Sequence, residues 1–227
     1  MASRSRVRER PCHALTTLTD ASPAVLADDD LDIYGIGAST SVRDCGALDC
    51  APRIISSTVR DTPGGGASYT VLGQLRIQAP AEEVYALLTD YARCHHVFKN
   101  IASSEVLRTD GGELEVVQNC KWAFLAFSGT FKVHLGVRED PDRGILTFSL
   151  VQSNFMNDFE GRWCVRPGSG EGGPSGAWCE VEHSLSVVPS VPVPAAVAYY
   201  TRGIFVRQVE SILRDLQEGM ASRPGGP

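Results

Sequence analysis

The 227-residue chain has no apolar run near the roughly 18 residues with which a helix crosses a bilayer. Stretches such as Trp122 to Phe127 are strand-sized. It also lacks a basic excess, since 21 Lys and Arg stand against 27 Asp and Glu, giving a net charge of −6. Phosphate binding needs a basic face, so nucleic acid is not expected as a partner. The seven cysteines (Cys12, Cys45, Cys50, Cys94, Cys120, Cys164 and Cys179) are odd in number, scattered, and without a C-x-x-C pair. That excludes a disulfide framework and points to free thiols in a reducing compartment. Cys94-His95-His96 holds metal-ligating types, but neighbouring residues point in different directions and no second cluster completes a tetrahedral set. No metal and no cofactor is expected. A Ser-His-Asp order, a phosphate-cradling glycine loop and a pair of inward carboxylates are all missing. Gly35-Ile-Gly37 is only a fragment of a dinucleotide fingerprint, with no strand before it.

What is present divides the chain by composition. Residues 1–20 carry Arg4, Arg6, Arg8 and Arg10 among serines and threonines, with Glu9 the one acid before Asp20. This is the composition of an organelle transit peptide, so a chloroplast location is expected, with the mitochondrion or the cytoplasm as alternatives. Residues 21–66 turn acidic, with Asp28, Asp29, Asp30 and Asp32 in one run, and read as a low-order segment and linker ending at Gly64-Gly-Gly66. Residues 67–220 form the folded domain, and 221–227 a tail.

The domain opens with alternation over Arg76 to Ala79, as in a half-wet strand. Pro80 then suits a helix's first turn, Glu82 and Glu83 suit its positive end, and Val84, Leu87, Leu88 and Tyr91 form one stripe. A short helical or irregular piece covers Arg93 to Ile101. Strands follow at Ser103–Arg108, Leu114–Trp122, Gly129–Arg138, Ile145–Gln152, Phe159–Arg166 and Trp178–Val188. Their turns are Asp110-Gly-Gly112, Pro141-Asp-Arg-Gly144, Asn154 to Asp158 and the Gly-Pro-Ser tract from Pro167 to Gly176. Pro189, Pro192 and Pro194 force an extended lead into a last helix running to about Gly219. Phe205, Val209, Ile212, Leu213, Leu216 and Met220 share a stripe of that helix, while Ala195 to Val206 is apolar nearly all round.

A curved antiparallel sheet of about seven strands wrapped round one long helix cannot close-pack along its length, so an elongated apolar cavity is expected between them. Its candidate walls are Phe131, Val133, Leu135, Leu146, Phe148, Leu150, Trp163, Val165, Val181 and Leu185, with Tyr200 and Ile204 added from the helix. Gln118 shares parity with Leu114 and Val116 and adds a polar point. His183 shares parity with Val181 and Leu185, so it faces inward and is the one candidate for acid/base chemistry or for holding a polar head group. His134 falls on the outward face of its strand, and His95 and His96 on a loop.

The order strand, two helices, six strands and long helix resembles the α+β helix-grip fold of the START-like (SRPBCC) superfamily. The nearest likeness within it is to the coenzyme-Q-binding, or polyketide cyclase/dehydrase and lipid transport, family. The residues that carry the resemblance are Ala79-Pro-Ala-Glu-Glu-Val-Tyr-Ala-Leu-Leu-Thr-Asp-Tyr91, Phe159-Glu-Gly-Arg-Trp163 and Val188-Pro-Ser-Val-Pro-Val-Pro194, within a span from about Tyr69 to Met220. The proline-rich lead-in is more similar to plastid members than to mitochondrial ones. Where the family often carries Phe-(Leu or Ile)-Pro after the first helix, this chain has Val97-Phe-Lys99. The resemblance implies reversible binding of a hydrophobic small molecule such as a quinone, lipid or tetrapyrrole-like compound. A carrier or ligand chaperone, rather than an enzyme, is the expected role. The alternatives are a cyclase/dehydratase-like enzyme using His183, and a peripheral membrane-docking module that makes transient contact through Val193 to Phe205.

Overall fold

Among the described residues the alternating segments form eight strands in this computed structural model. They are β1 (Arg53–Thr62), β2 (Gly66–Ile77), β3 (Ile101–Arg108), β4 (Leu114–Phe124), β5 (Phe127–Asp140), β6 (Ile145–Ser153), β7 (Met156–Pro167) and β8 (Cys179–Pro189). All pair antiparallel in one curved sheet of order β1-β2-β8-β7-β6-β5-β4-β3. Helices α1 (Ala81–Leu88) and α2 (Ala195–Ala221) complete an α+β helix grip. The structure describes residues 50–62, 66–109, 112–124, 127–168, 177–191, 193 and 195–223, all within the unit Cys45–Pro227. The segment read as a transit peptide (1–20), the acidic run and glycine pair at 28–37, the hinge at 63–65, Asp110-Gly111, the tract at 169–176, Pro192, Pro194 and the tail from 224 lie outside the described residues.

Pro80 starts α1 as expected. Its carbonyl accepts from the N–H groups of Glu83 (3.1 Å) and Val84 (3.3 Å), and Val84, Leu87 and Leu88 are buried. The short piece after α1 is mostly irregular, one of the two forms expected of it, and holds a 3-10 turn at Cys94–His96, with Cys94 and Phe98 buried. Between β5 and β6 the Asp140 carboxylate accepts from the Arg143 N–H, and Gly144 adopts a left-handed φ of 62°. Only glycine fits there, because a Cβ would lie 2.2 Å from the Val165 carbonyl oxygen.

Three expectations of the sheet change. The opening strand read at Arg76 to Ala79 is only the end of β2, which starts at Gly66 and stops at Ile77. The sheet has eight strands rather than about seven, because β1 lies in the stretch read as linker. β1 does not alternate, but Ile54, Ile55, Thr58, Val59 and Thr62 are β-branched, and it pairs with β2 from Arg53↔Gln74 to Thr62↔Gly66. The turn placed at 154–158 is also shorter, since β7 already begins at Met156.

The position of α2 determines what the sheet exposes. The helix packs chiefly on β2 and β1, with fewer contacts to β8. Val209, Leu213 and Leu216 on its inner stripe are fully buried. Gly73 makes this approach possible, because a Cβ there would stand 2.7 Å from both Leu213 Cδ1 and Val209 Cγ1. Helix α2 therefore seats toward one edge of the grip.

Candidate functional site

The inner face of the sheet changes character from one edge to the other. On β2 and β8, close to α2, Tyr69, Val71, Leu75, Val181, Leu185 and Val187 are buried. On β5, β6 and β7 the residues of the same face include Phe131, Val137, Phe148, Leu150 and Phe159, all only half-buried. Cross-strand pairing puts these on one surface, with Leu135 opposite Leu150, Val137 opposite Phe148, and Leu146 opposite Trp163. Val133, Leu135, Leu146, Trp163 and Val165 form its buried floor. The result is an apolar trough, close-packed at β7 and β8 and partly open over β5 and β6. Twelve expected wall and polar residues thus share the inner face: Gln118, Phe131, Val133, Leu135, Leu146, Phe148, Leu150, Trp163, Val165, Val181, His183 and Leu185.

His183 lies on the floor, 4% exposed, between Gly73 of β2 and Trp163 of β7. Its ring stacks on the Trp163 indole with centroids 4.0 Å apart and an interplanar angle of 23°. Trp163 in turn meets Phe98 from the turn after α1, at 6.1 Å. Neither ring nitrogen has a hydrogen-bond partner of ordinary geometry. Burial disfavours the imidazolium and pushes the pKa from 6.5 down to about 4, outweighing the smaller, opposite influence of the Arg162 backbone. At neutral pH the ring is therefore uncharged.

A second polar point stands on β4. Gln118 is buried, its Nε2 lies 3.5 Å from Cys94 Sγ, and Ser104 is its cross-strand partner. Burial pushes the Cys120 thiol up to about 12 and also raises that of Cys94. Among the described residues no group of His, Cys, Asp and Glu is placed to hold a metal.

Two helix residues behave differently from each other. Ile204 is half-buried, but Tyr200 is 71% exposed and does not join the wall. Tyr200 precedes the fully buried Val209 by nine residues, about two and a half turns, so it projects from the opposite side of α2. At the end of the trough Phe155 stacks on Phe131 at 4.9 Å, and its carbonyl accepts from the Ser190 N–H. Phe155 is not among the expected residues, because the sequence places it in a turn. A hollow of about 350 Å³ lies on the outer face of the sheet instead, lined in part by Leu107, Val117, Lys132 and His134. There His134 Nε2 meets Glu115 Oε2 at 2.6 Å, on the outward side expected for it.

The family described as polyketide cyclase / dehydrase and lipid transport matches residues 77–210. A START superfamily protein from Mycobacterium smegmatis, 16% identical, superposes with a TM-score of 0.54 over 66% of this chain and 95% of that one. The Zhui aromatase/cyclase from Streptomyces sp. R1128, 14% identical, gives 0.56 over 70% and 99%. A protein from Thermus thermophilus, 20% identical, gives 0.51 over 68% and 99%. At these identities the structural likeness concerns the fold alone. No curated protein sequence matches the chain.

Proposed function

Because the chain belongs to the polyketide cyclase / dehydrase and lipid transport family, we propose that it binds a hydrophobic small molecule in the trough beside α2, as a carrier or ligand chaperone. The observation that carries this reading is the half-buried run Phe131, Val137, Phe148, Leu150 and Phe159 on an otherwise buried inner face. Contiguous apolar surface left in contact with water at a concave site is what a ligand covers. A quinone, lipid or tetrapyrrole-like compound fits such a lining. Turnover is the weaker reading, because an imidazole whose pKa is lowered to about 4 is a weak base that carries no extra proton to donate at neutral pH, and its neighbours in the sheet, Trp163 and Gly73, cannot relay one.

The test is titration of the full-length chain with the neutral dye N-phenyl-1-naphthylamine, together with mass spectrometry of solvent extracts of the purified protein. Saturable one-to-one fluorescence enhancement, weakened at least about tenfold in Leu150→Arg by the charge placed on the wall, is expected. A chain that carries no apolar compound and gives no saturable enhancement does not have this function.

A membrane surface is the proposed place of ligand exchange. Val191 (71% exposed), Tyr200 (71%) and Phe155 (44%) are the large apolar side chains that favour this. Flotation with neutral lipid vesicles should weaken in the double variant Phe155→Ser, Tyr200→Ser, and equal flotation would dismiss it. The basic, hydroxylated N-terminus supports a plastid location, tested by the destination of a fluorescent fusion. The acidic balance argues against nucleic acid as a partner.

A further inference from the structure

We propose that His183 is the polar anchor of the bound molecule, and that this molecule carries an uncharged oxygen function (hydroxyl, enol or carbonyl) on a ring-shaped apolar body. The inference rests on the ligand-binding reading above and names the chemistry of the ligand.

His183 is 4% exposed, yet neither ring nitrogen has a hydrogen-bond partner of ordinary geometry. Buried polar atoms are almost always paired, so two on one ring mark a place where a partner is supplied from outside the chain. The Trp163 stack engages only the face of the imidazole, and the Arg162 backbone stands near one edge without a hydrogen bond of ordinary geometry. On its other side in the sheet lies Gly73, which contributes no side chain, with Val209 and Leu213 of α2 packed over it. A neutral imidazole offers one N–H donor and one bare acceptor nitrogen. A carbonyl can take the first, and a hydroxyl or enol can use either.

A carboxylate or phosphate suits the site poorly. It could use only the donor, and it would bring a charge with no counterion onto the floor. The charged groups among the described residues near this face are engaged or stand at its margins. Arg108 is exposed on the edge strand, Glu139 accepts from the Tyr91 hydroxyl, Asp215 is held by Lys99, and Arg202 belongs to the first turns of α2. Trp163 on the floor, Phe98 against it and the half-buried Phe148 give the site aromatic faces, on which a flat ring body packs better than a single alkyl chain.

The experiment displaces N-phenyl-1-naphthylamine from the full-length chain with three probes of one size: 2-naphthol, 2-methylnaphthalene and 2-naphthoate. Naphthol should bind about tenfold more tightly than methylnaphthalene, the worth of one good buried hydrogen bond, and naphthoate most weakly. His183→Phe should abolish the preference for naphthol over methylnaphthalene, whatever it does to the absolute affinity of either. His183→Gln, which keeps a donor and an acceptor, should retain part of it. A measurement that needs no variant is the nitrogen NMR of the wild-type ring, whose His183 signals should move with naphthol and not with methylnaphthalene. Equal affinities for those two, tightest binding of naphthoate, a preference that survives in His183→Phe, or unmoved signals at saturation would each overturn the anchor. If methylnaphthalene binds in those cases, only the anchor is lost. If no probe displaces the dye, the ligand-binding reading is lost with it.

Discussion

The backbone N–H of Lys99 donates to Asp215 Oδ2 at 2.9 Å, and the ammonium of the same residue reaches Oδ1 at 3.2 Å. Asp215 is 2% exposed on the inner stripe of α2, so the contact fastens the turn after α1 to the helix that covers the sheet. The contact also accounts for the departure from the family's frequent Phe-(Leu or Ile)-Pro, because a proline at 99 would have no N–H to donate. A lysine there serves the buried carboxylate twice and also pairs with Glu218 at 2.6 Å.

Truncating the two partners should therefore have unequal effects. Asp215→Ala leaves the Lys99 N–H unpaired and is expected to cost about 2 kcal/mol. Lys99→Ala keeps the backbone bond and loses an ammonium that is two-thirds exposed, so it should cost below about 1 kcal/mol. Urea unfolding of both variants measures this, and equal losses would contradict it.

Gly73 sets how close α2 can come. A methyl at that position meets Leu213 Cδ1 and Val209 Cγ1, both at 2.7 Å and both on fully buried residues with little room to retreat. Gly73→Ala should destabilise the fold by about 1–3 kcal/mol through overpacking, although alanine is not otherwise disfavoured in a strand. A Gly73→Ala protein with the wild-type urea midpoint would show that the helix moves away at no cost.

Strand alternation alone carries most of the inner face. The parity that pairs Val181, His183 and Leu185 can be read directly from the chain, and so can that of Gln118 with Val116. β1 is not legible, because Ile54 and Ile55 are adjacent and two serines follow, so no period of two emerges. Tyr200 is misplaced for a related reason. Ala195 to Val206 is apolar nearly all round, which leaves the phase of the helix undetermined until Val209 and Leu213 fix it. The Lys99–Asp215 contact joins residues 116 apart, and its only local trace is one carboxylate on an apolar stripe. Gly73, a glycine at inward parity between Val71 and Leu75, is the signal for a close helix approach.

The thiols should be inert while the fold persists. Burial pushes Cys120 and Cys179 up to about 12 and raises Cys94, so thiolate is scarce at pH 8. Cys50 is only partly buried and should be modified by an aromatic disulfide reagent well before the buried Cys94 and Cys179. Peptide mapping of a time course at pH 8 distinguishes them. Labelling of Cys94 as fast as Cys50 would mean that the turn after α1 opens readily.

The neutral His183 makes stability depend on pH in a definite direction. Its pKa is about 4 in the fold against 6.5 for the free side chain, so between those values the unfolded chain binds a proton that the fold rejects. The contribution is fully present above about pH 6.5 and is lost as pH falls toward 4, by at most about 1.4 kcal/mol per pH unit for this one proton. The sheet neighbours Trp163, Gly73, Val181 and Leu185 do not titrate, nor do Val209 and Leu213 of α2. Asp215, two residues beyond Leu213, is already engaged by Lys99. Carboxylates such as Asp90, lowered below 3.8 mainly by the hydrogen bond from Arg93, contribute at more acid pH and equally in both proteins compared. Urea unfolding of wild type and His183→Phe at pH 7 and pH 5 should thus show the wild type losing more stability between the two. Parallel losses would mean that the imidazole is not held neutral by burial, and that its nitrogens already have a partner able to stabilise the charge.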